Sequence, residues 1–300
     1  MLHALALNRA PGFHYPGFYL GMSWDHVDKQ GVTTSIESGA HCTDADGRVN
    51  IAAIALLADI GLSTCVRPHI EPGARMATVN LHLHFTGVTA LGNLTAHTRL
   101  EGFTGNTSVP LAYCRGTVCS AGKVVCYASG TFASPPAPPG VYLSPLPWQR
   151  KARGATPELA TGMLDANERT VMRAATRSLS AMTQGGSFIE HFWGQRARAG
   201  DSQATNLVTL APHMTNRVGH AQGGVLIGIA VATAMAALPH RTVLTSVSAW
   251  YLSPGQGSRL RAKARVIQRG RNVSVVRTEI LASGGRRVLE LISSHAAPPS

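Results

Sequence analysis

Residues 47–63 read GRVNIAAIALLADIGLS, and residues 218–234 read VGHAQGGVLIGIAVATA. Both stretches are apolar almost without interruption, and both are entered through polar, Gly-containing turns. Runs of about 14 to 16 residues with this composition read as buried helices, because a bilayer span needs about 20. The first holds an acid, Asp59, at its middle and has no glycine pair at its start. The second starts on Gln222-Gly223-Gly224 and has no acid along it. If the two belong to paralogous halves of one fold, they describe a single site shared between those halves.

The surrounding chain has the same order of elements twice. After the first apolar run come four strand-like segments at 77–85, 93–101, 108–119 and 123–132. After the second come segments at 243–252, 258–268, 272–282 and 286–294. Alternation is plain in TVNLHLHF, AHTRLEG and RLRAKARV, as half-buried strands require. Turn glycines fall at matching places, Gly92 with Gly257, Gly105 with Gly270, and Gly122 with Gly284-Gly285, at an offset near 165. Conserved order and spacing at a long fixed period is the mark of an internal repeat. One long buried helix followed by a curved antiparallel meander resembles the hotdog fold, in which the sheet wraps the helix. The expected class is therefore α+β, a double hotdog whose two helix-wrapping antiparallel sheets form an internal pseudo-dimer.

Length agrees with this division, since 300 residues is about twice a typical domain. Residues 135–155 are Pro-rich and then basic, with no periodicity, and are expected to link an N-terminal unit (1–134) to a C-terminal one (156–300). Helical spacing over 156–182 places a helix at the start of the second unit or across the joint. The opening residues lack a basic segment followed by a long apolar core, so no signal peptide is expected and the cytoplasm is the expected compartment. All five cysteines lie in the first half, an odd count without zinc-type spacing, so buried free thiols are expected and no metal site. His82 and His84 alternate on one strand without a third ligand at useful spacing.

Charge is distributed unevenly. Residues 1–150 carry a net +1 and residues 151–300 a net +11 of the total +12. A basic half suits an anionic partner, but no helix-turn-helix, zinc-finger or RNP pattern accompanies it, so nucleic acid is not expected. The alternating Arg259, Arg261, Lys263 and Arg265 read equally well as a solvated strand face.

The segment Asn216-Arg-Val-Gly219-His220-Ala-Gln222-Gly223-Gly224 resembles the N-x-x-G-x-x-H-G-G motif of PaaI-like acyl-CoA thioesterases, in the 4-hydroxybenzoyl-CoA thioesterase superfamily. In that family an acid follows the motif's His by nine positions. Nine residues after Gln222, which stands in the His position, is Val231; nine residues before Asp59 is Asn50. Each half has therefore lost what the other keeps. The resemblance covers about 45–134 and 214–295, not 1–30 or 140–185.

That resemblance implies a composite site in which Asp59 acts as base or nucleophile and the Gly223 N–H polarises the thioester carbonyl. It implies supporting places for Asn216 on the substrate, for Ser63 and Thr78 beside the acid, and for His220, Gln222 and Gly224 around the glycine turn. Arg269 and Arg271 beside Gly270 are candidates for the phosphates of coenzyme A. The opposite pairing, Ile51-Ala52 with Val231, implies no chemistry. No cofactor is expected, since coenzyme A belongs to the substrate; acyl carrier protein is a second carrier, and a homo-oligomer of double-hotdog chains is expected. Physical chemistry supports the arrangement, because thioester hydrolysis needs a base and oxyanion donors, and a glycine-lined helix N-terminus offers open N–H groups. Two other readings remain at this level: a lone Asp in an apolar helix is also how a hydrogen-bonded core group looks, and the chain could bind acyl-CoA or lipid without turnover. A hotdog hydratase would pair an Asp with a His on a motif absent here.

Overall fold

The computed structural model describes residues 1–9, 15–44, 46–71, 74–105, 109–136, 140, 143, 145–149, 159–238 and 242–297. Most of the expected linker, and the beginning of the helical stretch expected from 156, lie outside them. Six helices are described: α1 (Leu2–Arg9), α2 (Pro16–Tyr19), α3 (Ile51–Val66), α4 (Ala166–Met182), α5 (Phe188–Phe192) and α6 (Gly223–Ala236). The strands are β1 (Met22–Val27), β2 (Val32–Ile36), β3 (Ala77–Phe85), β4 (Leu94–Phe103), β5 (Leu111–Ser120) and β6 (Lys123–Ala133) in the first half. In the second half they are β7 (Arg198–Gly200), β8 (Gln203–Thr209), β9 (Val243–Tyr251), β10 (Arg259–Arg269), β11 (Val273–Ala282) and β12 (Arg287–Ala296). Helices α3 and α6 and strands β3–β6 and β9–β12 fall within a few residues of the positions expected from periodicity. The hairpins β1/β2 and β7/β8, which precede α3 and α6, carried only a short alternating signal.

All twelve strands form one antiparallel sheet in the order β1-β2-β4-β5-β6-β3-β9-β12-β11-β10-β8-β7. That order is the same in both halves when read outward from the β3–β9 junction. The register gives the symmetry centre. His82 pairs with Ser248 there, flanked by Asn80 with Trp250 on one side and His84 with Ser246 on the other. Two-fold symmetry about that pair equates a β3 residue with the β9 residue 166 positions later, the separation of His82 and Ser248. The two histidines anticipated as a strand-face pair sit at this seam, where the His82 ring lies 3.1 Å from the Ser248 hydroxyl. Among the described residues no cluster of His, Cys, Asp or Glu could hold a metal ion.

Helices α3 and α6 lie together against the sheet within one hydrophobic core that draws on both halves. Asn50 caps α3, its side chain accepting from the Ala52 N–H at 2.8 Å, and Pro68 follows the helix, as helix ends favour. Within α3 every residue but Ile51 and Ser63 is buried. With the turn that follows, Ile51–His69 is long and apolar enough to cross a membrane, but most of it is buried inside the fold. Its apolar surface is therefore already covered by protein.

The approach of the two helices depends on missing side chains. A Cβ on Gly224 would stand 2.3 Å from the Leu56 Cα, and one on Gly228 would stand 2.4 Å from the Ala52 Cβ. Position 224 meets 56 and position 228 meets 52, so the helices run antiparallel with backbone nearly against backbone. Dispersion at such range is gained over many atom pairs at once, which is why close helix crossings select small residues.

Described parts of the segments that the family resemblance leaves unexplained pack against one another. Arg9 on α1 bridges to Glu168 on α4 at 2.5 Å, and Asp165 with Glu168 completes a capping box at the start of α4. Tyr15, Phe18 and Trp24 pack edge to face or tilted, with Trp148 against Trp24 at 5.4 Å between centroids. Gly224→Ala should lower stability by about 1–3 kcal/mol through overpacking against the α3 backbone, read as a fall in denaturant midpoint. Gly105→Ala, whose added methyl meets nothing within 4 Å, should leave the midpoint nearly unchanged.

Candidate active site

A cleft of about 360 Å³ opens where the middle of α3 meets the N-terminus of α6. Asp59 projects from α3 and is 4% exposed. The Thr78 hydroxyl at the start of β3 donates to its Oδ1 at 2.9 Å. Gln222, from the other half of the chain, donates from Nε2 to its Oδ2 at 2.6 Å. The same Gln222 is the N-cap of α6, and its Oε1 accepts from the Val225 N–H at 3.1 Å. One side chain thus closes the helix end with one atom and holds the acid with the other.

The open N–H groups of the α6 N-terminus can be followed one by one. Leu226 donates to the Gln222 carbonyl at 3.1 Å, and Val225 to the Gln222 side chain. The Gly224 N–H is directed to the Asp59 carboxylate. Gly223 is left as the first residue of the helix; it lines the cleft, and among the described residues its N–H has no hydrogen-bond acceptor. A Cβ at Gly223 would stand 2.6 Å from Asp59 Oδ2 and 3.1 Å from the Tyr251 hydroxyl. Only glycine leaves that space for a ligand.

Two effects oppose each other at the Asp59 carboxyl. Burial raises its pKa, and the hydrogen bonds from Thr78, Gln222 and the Gly224 N–H lower it. Burial wins, and the value rises from 3.8 to about 6. Being at a helix N-terminus also favours the charged form, so the group is an ionised base at neutral pH that accepts a proton readily.

The cleft gathers Asp59, Gly223, Thr78, Ser63, Asn216, His220 and Gln222 from among the expected site residues. Their detailed contacts differ from expectation at several. The Ser63 hydroxyl donates to the Ile60 carbonyl at 3.0 Å, leaving Thr78 as the hydroxyl on the acid. Asn216 uses its side-chain oxygen to accept from the N–H groups of Val218 and His220, both at 3.1 Å. It therefore shapes the loop into α6. His220 has its pKa lowered by burial and by Arg75. Gly224 does not line the cleft, because its missing side chain serves the contact with Leu56.

Arg269 and Arg271 are corrections. Both are exposed at the end of β10 and the turn after it, and Arg269 donates to the Ser202 hydroxyl at 3.1 Å. Strand β10 is separated from β9 by β11 and β12, so neither arginine reaches the cleft. The exposed row Arg259, Arg261, Lys263 and Arg265 lies on the same strand. The cations of the cleft are Arg67, Arg75 and Arg217. Arg67 and Arg217 both donate to the Ala74 carbonyl, and burial followed by repulsion from Arg217 lowers the Arg67 pKa. Two of these had a legible signal: Arg67 directly follows the helix that carries Asp59, and Arg217 lies inside the motif stretch. Tyr251, at the last position of β9, had none.

Position 166 residues on, the equivalent of Thr78 is Leu244, and the equivalent of Tyr251 is Phe85. With Val231 for Asp59 and Asn50 for Gln222, the second interface is apolar. There Val231 is buried, and Asn50 does no more than cap α3.

Residues 211–296 match the model of the family described as acyl-CoA thioesterase N-terminal domain. Among solved structures the chain is similar to a putative oleoyl thioesterase from Lactobacillus plantarum, at TM-score 0.57 and 12% identity over 89% of this chain and 96% of that one. It is similar to the tesB protein of Mycobacterium avium subspecies paratuberculosis, at TM-score 0.55 and 10% identity over 92% and 96%. It also resembles a hot dog fold protein of unknown function from Alicyclobacillus acidocaldarius, at TM-score 0.51 and 13% identity over 98% and 99%. No curated protein sequence matches. The fold is the hotdog, two to a chain, and the second of the two carries the match to the thioesterase domain model. Within this chain the matched domain is the second half, which supplies Gln222, Gly223 and Tyr251, whereas Asp59 and Thr78 come from the first.

Thr78→Val should raise the Asp59 pKa further, because it removes a donor that favours the carboxylate. A titration of the carboxyl followed by NMR should show the midpoint moving above about 6.

Proposed function

We propose that this chain hydrolyses acyl-CoA thioesters at the single composite cleft between its halves, with Asp59 as general base. The observation that carries this reading is the placement of a buried, triply hydrogen-bonded acid from one half in front of the open Gly223 N–H of the other. The family match over 211–296 supports the substrate class. The three cleft arginines suit the phosphates of coenzyme A, and five free cysteines suit a reducing cytoplasm.

The chemistry follows from the positions. Asp59 takes a proton from a water molecule as the water oxygen bonds to the thioester carbon. The carbonyl electron pair moves onto oxygen, where the Gly223 N–H and the α6 dipole stabilise the charge. Collapse re-forms the carbonyl and breaks the C–S bond, and the proton held by Asp59 passes to the departing thiolate. Direct attack by the Asp59 carboxylate on the thioester carbon, through an anhydride later hydrolysed, is the alternative route at the same site. Val231 and Leu244 stand at the mirror interface in the places of Asp59 and Thr78, so among the described residues it lacks the equivalent base, and one site per chain is expected.

Purified protein should release free thiol from some member of an acyl-CoA panel, measured with a thiol-reactive chromophore. Asp59→Asn should reduce that release by about 10²–10⁴, the usual share of a general base, with the circular dichroism spectrum retained. Binding without release across the panel would instead indicate a non-catalytic acyl-CoA carrier.

Protonation gives a second check. The rate should rise as pH increases through about 6, because the base must be ionised. Stability should move the other way. The folded state holds the Asp59 proton more tightly than the unfolded chain does, so between about 4 and about 6 this group's contribution falls as pH rises and is level above. Kinetics and denaturant midpoints measured from pH 4 to 8 test both signs.

A further inference from the structure

We propose that the Tyr251 hydroxyl is a catalytic donor to the thioester carbonyl oxygen, completing with the Gly223 N–H a two-donor oxyanion site. This rests on the thioesterase reading and adds a residue to it. Three independent observations point the same way.

The first is that the hydroxyl has no use in the folded protein. Tyr251 Oη is buried and has no hydrogen-bond partner among the described residues. A buried hydroxyl without a partner has given up its hydrogen bond to water for nothing, so such groups are rare and call for a reason. Phenylalanine would fill the same space without that cost.

The second is its position. Tyr251 lines the cleft with Asp59 and Gly223. Its oxygen lies 3.1 Å from the point a Gly223 Cβ would occupy, and Asp59 Oδ2 lies 2.6 Å from that same point. A ligand atom in front of Gly223 is therefore within reach of the base and the hydroxyl together. Burial and the charge of Asp59 raise the hydroxyl's pKa well above its ordinary value, so the group stays protonated and acts as a neutral donor.

The third is symmetry. The residue at the equivalent place in β3 is Phe85, paired as part of the same register that equates Thr78 with Leu244. The hydroxyl is present only at the interface that also keeps Asp59, Thr78 and Gln222. A purely structural tyrosine would have no reason to follow the acid.

The carbonyl oxygen is the better recipient than the attacking water. A donor to the water's lone pair would compete with its attack on carbon, whereas the carbonyl oxygen gains negative charge as the C–O bond forms. Each bond to that oxygen strengthens in the transition state, which is the condition for raising kcat.

The test compares wild type with Tyr251→Phe in kinetics, analogue binding and stability. Loss of one oxyanion donor should lower kcat about 100-fold with KM changed by less than about threefold. Two non-hydrolysable ligands isolate the contact: an S-(2-oxoalkyl)-CoA, whose ketone carbonyl stands one methylene from the sulfur, and the matching S-alkyl-CoA, which lacks it. Tyr251→Phe should weaken the ketone analogue about tenfold and leave the S-alkyl compound unchanged, while the melting temperature holds or rises because an unpaired hydroxyl is gone. Equal affinity of the variant and wild type for the ketone, or an equal loss for both analogues, overturns the proposal. If wild type binds both analogues but releases no thiol from the acyl-CoA panel, the hydrolase reading falls and the ketone-to-alkyl comparison still decides Tyr251. If wild type binds neither, both readings fall.

Discussion

Everything at the cleft depends on how closely α6 can lie against α3. Gly224 and Gly228 remove the side chains that would hold the helices apart, and the α6 backbone comes to rest on Leu56 and Ala52. That approach carries the first turn of α6 onto Asp59, one helical turn further along α3. With ordinary side chains at those two positions the interaxial distance would rise toward the usual 8–10 Å. Gln222 would then no longer reach the carboxylate at 2.6 Å. Packing and chemistry are the same contact viewed from two sides.

The acid is held by both halves and is costly to both. An almost fully buried carboxyl is stabilised by three donors and still has its pKa driven up by burial. Tyr251 Oη adds an unpaired polar atom a short distance away. Concentrating two unfavourable groups at one spot, while Val231, Leu244 and Phe85 make the mirror interface apolar, is the pattern of a site that trades stability for reactivity. The asymmetry also explains why neither half alone resembles a finished site. Gln222 stands where the family motif has His, and its amide can cap a helix and donate to an acid simultaneously, which suits a donor that must not carry charge beside Asp59.

Residues 15–24 and 145–149 pack together beside the cleft. Tyr15 and Trp148 line the cleft, and the aromatic contacts around Trp24 tie them to the sheet edge. Arg9 and Glu168 fasten the N-terminal helix to α4 across 159 positions of sequence. Leu146 and Trp148 lie between the repeats and, with Tyr15, line the interface that holds Asp59.

Much of this was legible in the chain itself. Periodicity and turn glycines located α3, α6 and eight of the strands, because alternation and a buried apolar run are local consequences of which face meets the core. The complementary losses at Asp59 and Gly223 identified the pair that the structure brings to one cleft, since a fixed nine-residue spacing survives without knowledge of the fold. Three things were decided only by the tertiary structure. Gly224 proved to be a packing residue, which depends on what stands opposite it. Arg269 and Arg271 proved remote, because strand order, not sequence, separates β10 from the cleft. Tyr251 emerged from the β3–β9 register, a pairing between segments 166 residues apart that no local pattern encodes.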